Sequence, residues 1–272
     1  MLNRVCEPAR GRTEVEAAPG IRRMWTPRDV TRYSLLLLVS IAGIGCNPVS
    51  TQRADRFVPE PGDLLFQDLD GGPLCDAIER VTAGYNGANL SHVGLVAKDA
   101  HQGLVVVEAV SAGVVATPLH RFLARSLDDR HRPKVLVGRL DPAVVPDCHG
   151  LIRRAIEQAR ALEGKAYDKQ FLIANDSYYC SELVYEVFRR ANNGRPLFEL
   201  QPMTFKEPGS DEPMAAWRAY FADLGVVIPE GCPGINPGVL SRSPLLTMVH
   251  EYGAVTRKPT SSVSVAPTGR QR

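Results

Sequence analysis

Three residues in this sequence have the type and setting for covalent chemistry at a carbonyl group: Cys180, His92 and Glu108. Cys180 lies in Tyr178-Tyr179-Cys180-Ser181-Glu182, ahead of Leu183, Val184, Val187, Phe188 and Ala191, which recur at the spacing of one helical face. Asp176 and Ser177 are N-cap residues by type, and Asn192-Asn193-Gly194 is a stop signal. The spacing therefore predicts a helix with Cys180 in its first turn. Unpaired N–H groups and the positive end of the helix dipole favour a thiolate there, and the thiolate is the nucleophile. A free buried cysteine is more often a small hydrophobe, so the assignment depends on finding a base.

The base is on a hairpin. Ser91-His92-Val93-Gly94-Leu95-Val96 and Leu104 to Val110 read as strands joined by a short turn over Lys98 to Gly103, an antiparallel pair. That pairing brings His92, early in one strand, near Glu108, late in the other. A carboxylate inside an apolar run is costly unless it is paired, and His92 is its natural partner. Alone, His92 reads equally well as a core histidine, and Glu108 as the partner of an arginine. Together with Cys180 they form a nucleophile, a base that later serves as acid, and a carboxylate fixing the imidazole tautomer. The backbone N–H of Cys180 is a natural donor to an oxyanion.

The elements that must position these groups are short and mixed. Pro61-Gly62-Asp63 turns into a strand at Leu64-Leu65-Phe66, and its carboxylate reads as a turn cap. Strands follow at Val114–Leu119 and Lys134–Leu140, and a last strand or helical turn at Leu245–Val249. Helical patterns cover Asp76–Ala83, with Ile78 and Val81 inward, then His149–Leu162 and Met214–Leu224. Gly231 to Ser243 reads as an irregular loop. Ser181 and Glu182 read as helix-start groups. His101, His120, His131, His149 and His250 lack a constellation and read as surface.

The chain has 272 residues, 44% hydrophobic and 23% charged, enough for one domain with a sizeable core. A net charge of +2 gives no footprint for nucleic acid. The six cysteines, Cys6, Cys46, Cys75, Cys148, Cys180 and Cys232, include no CxxC pair, so no structural metal is expected, and acyl transfer through a thiol needs neither a metal nor an organic cofactor. A Cys75–Cys148 or Cys148–Cys232 disulfide is compatible with the sequence. Residues 1–46 read as a targeting segment: an apolar run from Leu35 to Ile44 follows Arg28 and Arg32, and Met24 sits where such a segment begins. Gly45-Cys46 resembles the lipidation site of a bacterial lipoprotein, although Gly43 stands where leucine is usual. The order of preference is a lipoprotein anchored to the membrane through Cys46, then a secreted protein, then a short transmembrane anchor. All three place the domain outside the cytoplasm, the preferred one in the cell envelope and the second periplasmic or secreted. Residues 47–60 read as a linker, 61–253 as the domain and 254–272 as a disordered tail.

Pro61-Gly62-Asp63-Leu64-Leu65-Phe66, Ser91 to Val96, Val107-Glu108-Ala109 and Tyr179 to Val184 resemble, in that order, the YiiX/YaeF-type hydrolases. Those are permuted papain-like relatives of the NlpC cell-wall hydrolases. Pro229 to Ser243 is similar to the C-terminal part of such proteins. The resemblance implies an α+β, circularly permuted papain-like fold, with a small antiparallel, barrel-like sheet packed on the cysteine helix. It implies Cys180 as nucleophile, His92 as base and Glu108 as orienting acid, in the His-before-Cys order of the permuted group. It also implies a tyrosine supporting the oxyanion: Tyr167 by preference, with Tyr178 and Tyr179 as alternatives. The expected substrate is an amide, in a peptidoglycan peptide or an acyl or amino-acid conjugate. A lipid acyltransferase or thioesterase, or a binding module without turnover, are the other readings. A deep apolar tunnel at Cys180 favours lipid, and an open polar groove favours peptide.

Overall fold

The computed structural model describes residues 56–258. The targeting segment, Cys46 and the distal tail lie outside the described residues. In chain order the elements are β1 (Leu64–Gln67), α1 (Pro73–Val81), β2 (His92–Asp99), β3 (Gly103–Val110), β4 (Gly113–Pro118), α2 (Leu119–Leu123) and β5 (Val135–Leu140). They continue with α3 (Cys148–Ala161), α4 (Cys180–Ala191), β6 (Gln201–Pro202), α5 (Ala215–Leu224), β7 (Pro233–Gly234), α6 (Pro237–Ser241) and β8 (Leu246–Glu251). Six strands make one antiparallel sheet in the order β4-β3-β2-β1-β5-β8.

The β2–β3 hairpin forms as its sequence dictates. Asp99 Oδ1 accepts the N–H groups of His101 and Gln102 at 2.9 and 3.0 Å, and Gly103 closes the turn at a φ of 74°. Both faces of the sheet are covered, which explains why Leu104 to Val107 shows no polar alternation. Val93, Leu95, Val105 and Val107 face α3 and α4, meeting Leu151, Ala155, Leu183, Val184, Val187 and Phe188. Leu65, Val96, Val106, Val135 and Val137 face the other way, against Phe122 of α2 and Tyr252. A third cluster, Phe171, Tyr179, Phe205, Met214, Trp217 and Phe221, is built mainly of edge-to-face rings around α5.

Several sequence expectations are corrected. The cysteine helix begins at Cys180 itself, with Tyr179 as N-cap in place of Asp176 or Ser177. Asp176 has a φ of 60° and precedes the helix in a loop. The Gly231–Ser243 stretch is no plain loop. It contains β7 and α6, the latter capped by Asn236 Oδ1 accepting from the Val239 N–H at 2.8 Å. Both domain ends extend further than composition suggests. Phe57, placed in the linker, stacks on His250 with ring centroids 4.1 Å apart, so His250 is a packing residue. Ala254 to Lys258, placed in the tail, are docked. The Thr256 N–H donates to Asp68 at 2.7 Å, Val255 is buried, and Lys258 Nζ donates to the Arg80 carbonyl at 2.8 Å. Backbone hydrogen bonds, invisible to composition, hold these polar segments. Cys75 and Cys148 are free thiols, so neither of the two candidate disulfides is formed.

Asp63 is more than a turn cap. It is buried, takes the Glu60 N–H at 2.8 Å, and accepts Nε and Nη2 of Arg139 at 2.7 and 2.8 Å, tying β1 to β5. Because Arg139 is itself partly solvated, Asp63→Ala is expected to cost about 2 kcal/mol. A lowered urea midpoint with an unchanged slope checks this; an unchanged midpoint refutes it.

Candidate active site

The three chemistry-bearing residues come from three elements and meet at one end of the sheet. Cys180 is the first residue of α4, His92 the first of β2, and Glu108 lies two residues from the end of β3. The β2–β3 register places Gly94 opposite Glu108, putting His92 one diagonal step away on the same face. Gly94 is required there: a Cβ would collide with the Val106 side chain and press on Glu108. His92 Nε2 and Glu108 Oε2 are 2.5 Å apart, leaving the other ring nitrogen to meet Cys180, its second hydrogen-bond partner. The His92 ring also packs on Phe122.

Glu108 is completely buried and fully engaged. Arg125 donates Nη1 to Oε2 at 2.8 Å and Nη2 to Oε1 at 2.6 Å, and Thr117 donates to Oε1 at 2.5 Å. Burial would raise its pKa. The hydrogen bonds from Arg125 and His92 overcome that and hold the carboxyl down to about 2. For His92, burial favours the neutral ring, but the hydrogen bonds with Cys180 and Glu108 prevail and raise it to about 9. Burial likewise pushes the Cys180 thiol up. The hydrogen bond and charge of His92, with the Val93 and Ser181 N–H groups, bring it below the ordinary thiol value. These directions favour a thiolate–imidazolium pair backed by a carboxylate over a neutral thiol and imidazole.

The three tyrosines separate by what their hydroxyls do. Tyr178 accepts from Arg190 Nη2 at 3.0 Å, and Tyr179 accepts the Ile235 N–H at 3.2 Å. The Tyr167 hydroxyl has no hydrogen bond among the described residues, and the residue lines the same cavity as Cys180. Ser181 and Glu182 serve the fold. The Ser181 hydroxyl donates to the Ile235 carbonyl at 2.8 Å, and Glu182 accepts the Tyr179 N–H at 3.3 Å. Burial, with the nearby charge of Asp168, raises Glu182 to about 9. Sequence reasoning missed Arg125 and Thr117. The only sequence signal for them is the need of Glu108 for partners. Cys75 is a second thiol on the cavity wall; burial raises its pKa, and Ser91 hydrogen-bonds it.

That cavity encloses about 870 Å³ and reaches from Cys180 past α1 to α5. Its walls are mainly apolar, including Leu74, Ile78, Phe171, Met203, Phe205 and Trp217. Ile78 and Val81 of α1, expected to face a core, line this space. The Pro233 to Val239 stretch supplies another wall through Gly234, Ile235, Asn236, Pro237 and Val239.

A cysteine at a helix start, facing a histidine and carboxylate on an antiparallel sheet with the histidine earlier in the chain, defines the permuted papain-like class. Residues 58–250 match the model of the C92 family of permuted papain-like amidases (YaeF/YiiX), and the chain belongs to that family. It is 26% identical over 196 residues to the uncharacterized protein YiiX of Escherichia coli K12, covering 72% of this chain and 88% of that protein. Its fold is similar to the crystal structure of metalloprotein YiiX from Escherichia coli O157:H7, with a TM-score of 0.56 and 25% identity. The match covers 72% of this chain and 99% of that one. Among the described residues here, no three His, Cys, Asp or Glu side chains are grouped as metal ligands.

The electrostatics set the pH behaviour. The thiolate persists to lower pH than an ordinary thiol, and the imidazolium is lost as pH rises through about 9. Iodoacetamide labelling of Cys180, read by peptide mass spectrometry to separate it from Cys75 and Cys148, is expected well below the free-thiol range. His92→Ala is expected to return it to that range. Ordinary titration in both proteins would contradict the ion pair.

Proposed function

We propose that this protein is a cysteine amidase whose substrate carries an apolar acyl chain. The observation that carries this reading is the large, mainly apolar cavity opening onto the Cys180–His92–Glu108 line. An open polar groove would suit a cell-wall peptide. The partly open but mainly apolar walls suit an acyl chain, which recovers about 0.8 kcal/mol for each buried methylene.

The thiolate of Cys180 attacks the amide carbonyl carbon, forming a C–S bond and moving the π electrons onto oxygen. The Cys180 N–H, at the free end of α4, and the Tyr167 hydroxyl are the proposed donors to that oxyanion. His92 gives its proton to the leaving nitrogen as the C–N bond breaks, and the amine departs. Water, deprotonated by His92, then attacks the thioester. The C–S bond breaks, a carboxylic acid leaves, and the thiolate–imidazolium pair is restored. Glu108 keeps one imidazole orientation throughout. With an alcohol or amine acceptor in place of water, the same steps amount to acyl transfer. The cavity favours that second reading equally, and product analysis separates the two.

A series of N-acyl amides differing only in chain length tests the substrate class. The specificity constant is expected to rise roughly threefold to fourfold per methylene until the cavity is filled. Met203→Trp, which narrows the cavity, is expected to penalise long chains and spare short ones. A flat series, or faster cleavage of short polar peptides, would sink the acyl reading.

A separate variant tests the oxyanion role. Tyr167→Phe is expected to lower kcat roughly 100-fold without moving the pH profile of Cys180 labelling. Unchanged turnover would remove Tyr167 from the mechanism.

A further inference from the structure

We propose that Arg125 is a positioning residue of this site: by clamping Glu108 from the protein surface it balances the charge of three buried groups and so keeps Cys180 ionised. The inference rests on the cysteine-hydrolase reading and adds a residue that acts through Glu108.

The geometry is specific. Each oxygen of the Glu108 carboxylate accepts two hydrogen bonds: Oε2 from His92 Nε2 and Arg125 Nη1, Oε1 from Arg125 Nη2 and Thr117 Oγ1. All four lie between 2.5 and 2.8 Å. With both oxygens engaged on either side, the carboxylate cannot rotate, and the His92 nitrogen bound to it is fixed in direction. Arg125 is held in turn. Its guanidinium is bidentate on the carboxylate and lies over the Phe122 ring, 5.2 Å from the centroid, and Phe122 also packs on His92. A lysine, carrying one point charge on a flexible stem, cannot reproduce this fork.

The charge count explains why a cation is needed. With Cys180 as thiolate, His92 protonated and Glu108 ionised, the three carry a net charge of minus one. Glu108 is 0% exposed, and Cys180 and His92 are 7% and 6% exposed. An uncompensated charge in so dry a place is expensive, and the usual response is to keep a proton. Arg125, 31% exposed along its side chain, brings the sum to zero and leaves the thiolate unprotonated. Removing that positive charge disfavours loss of a proton from every acid in the group. The Cys180 labelling curve must therefore move to higher pH.

The experiment is peptide-resolved iodoacetamide labelling against pH for the wild type, His92→Ala, Arg125→Gln and Arg125→Lys, each checked for a cooperative thermal melt. Arg125→Gln is expected to displace the Cys180 curve to higher pH, and labelling at a pH below the midpoint slows roughly tenfold for every pH unit the curve moves. Arg125→Lys, which keeps the charge but loses the fork, is expected to fall between Arg125→Gln and the wild type. A strut that merely stiffens the chain after α2 would lower the melting temperature without moving the curve. A folded Arg125→Gln with the wild-type curve overturns the proposal. Should Arg125→Gln fail to fold, Arg125→Lys decides, an upward displacement supporting the proposal and a wild-type curve overturning it. If the wild-type thiol titrates normally whether or not His92 is present, the hydrolase reading itself has failed, an outcome distinct from an Arg125 variant that behaves as wild type.

Discussion

Glu108 is a carboxylate with no solvent exposure near the end of an otherwise apolar strand, and the arrangement of the site follows from keeping it charged there. An ion in that position is stable only when every lone pair is met and its charge is neutralised nearby. Thr117 comes from the neighbouring strand, Arg125 from the chain just after α2, and His92 from the strand on the other side. Each of those contacts constrains a different part of the chain. Gly94, lacking a side chain opposite Glu108, leaves room for them. The polarised imidazole is in this sense the last member of a network built to satisfy one acid.

Cys180, the proposed nucleophile, is placed by a different logic. Helix α4 presents Val184, Val187 and Phe188 to the core, and that packing fixes its axis against the sheet. Its N-terminal end, itself buried, meets the start of β2. Glu182 secures the Tyr179 N–H, and the Tyr179 hydroxyl accepts from Ile235, so the residue before the nucleophile is held on both its backbone and its side chain. The same tyrosine belongs to the aromatic cluster with Phe171, Phe205 and Trp217, which forms much of the cavity wall. The cavity wall and Cys180 therefore share one support in Tyr179.

Some of this was legible in the sequence because it depends on local periodicity. The helix around Cys180, the His92–Glu108 hairpin and the cost of an acid in an apolar run are consequences of residues within a few positions of one another. The stop at Asn192-Asn193-Gly194 is local too, with Asn192 as C-cap and Asn193 and Gly194 at positive φ. Asp176 and Ser177 misled because cap residues by type also serve loops. The helix begins later, where the Glu182 side chain, held by tertiary packing, closes the first turn. Phe57 and Ala254 to Lys258 misled because their segments are polar in composition, whereas their fixing partners are a ring and carboxylates distant in sequence.

What the sequence by itself determined is the candidate set of Cys180, His92 and Glu108 and the hairpin and helix that carry them, since alternation and helical spacing are short-range properties. Only the tertiary structure decided which groups complete the site. Arg125 lies 17 residues from Glu108, and no periodicity links them. The Tyr167 hydroxyl differs from those of Tyr178 and Tyr179 only through its surroundings. The cavity exists because α1, α5 and the Pro233–Val239 stretch leave space between them. Shape and charge balance are sums over distant parts of the chain, and those sums are fixed only when the chain has closed on itself.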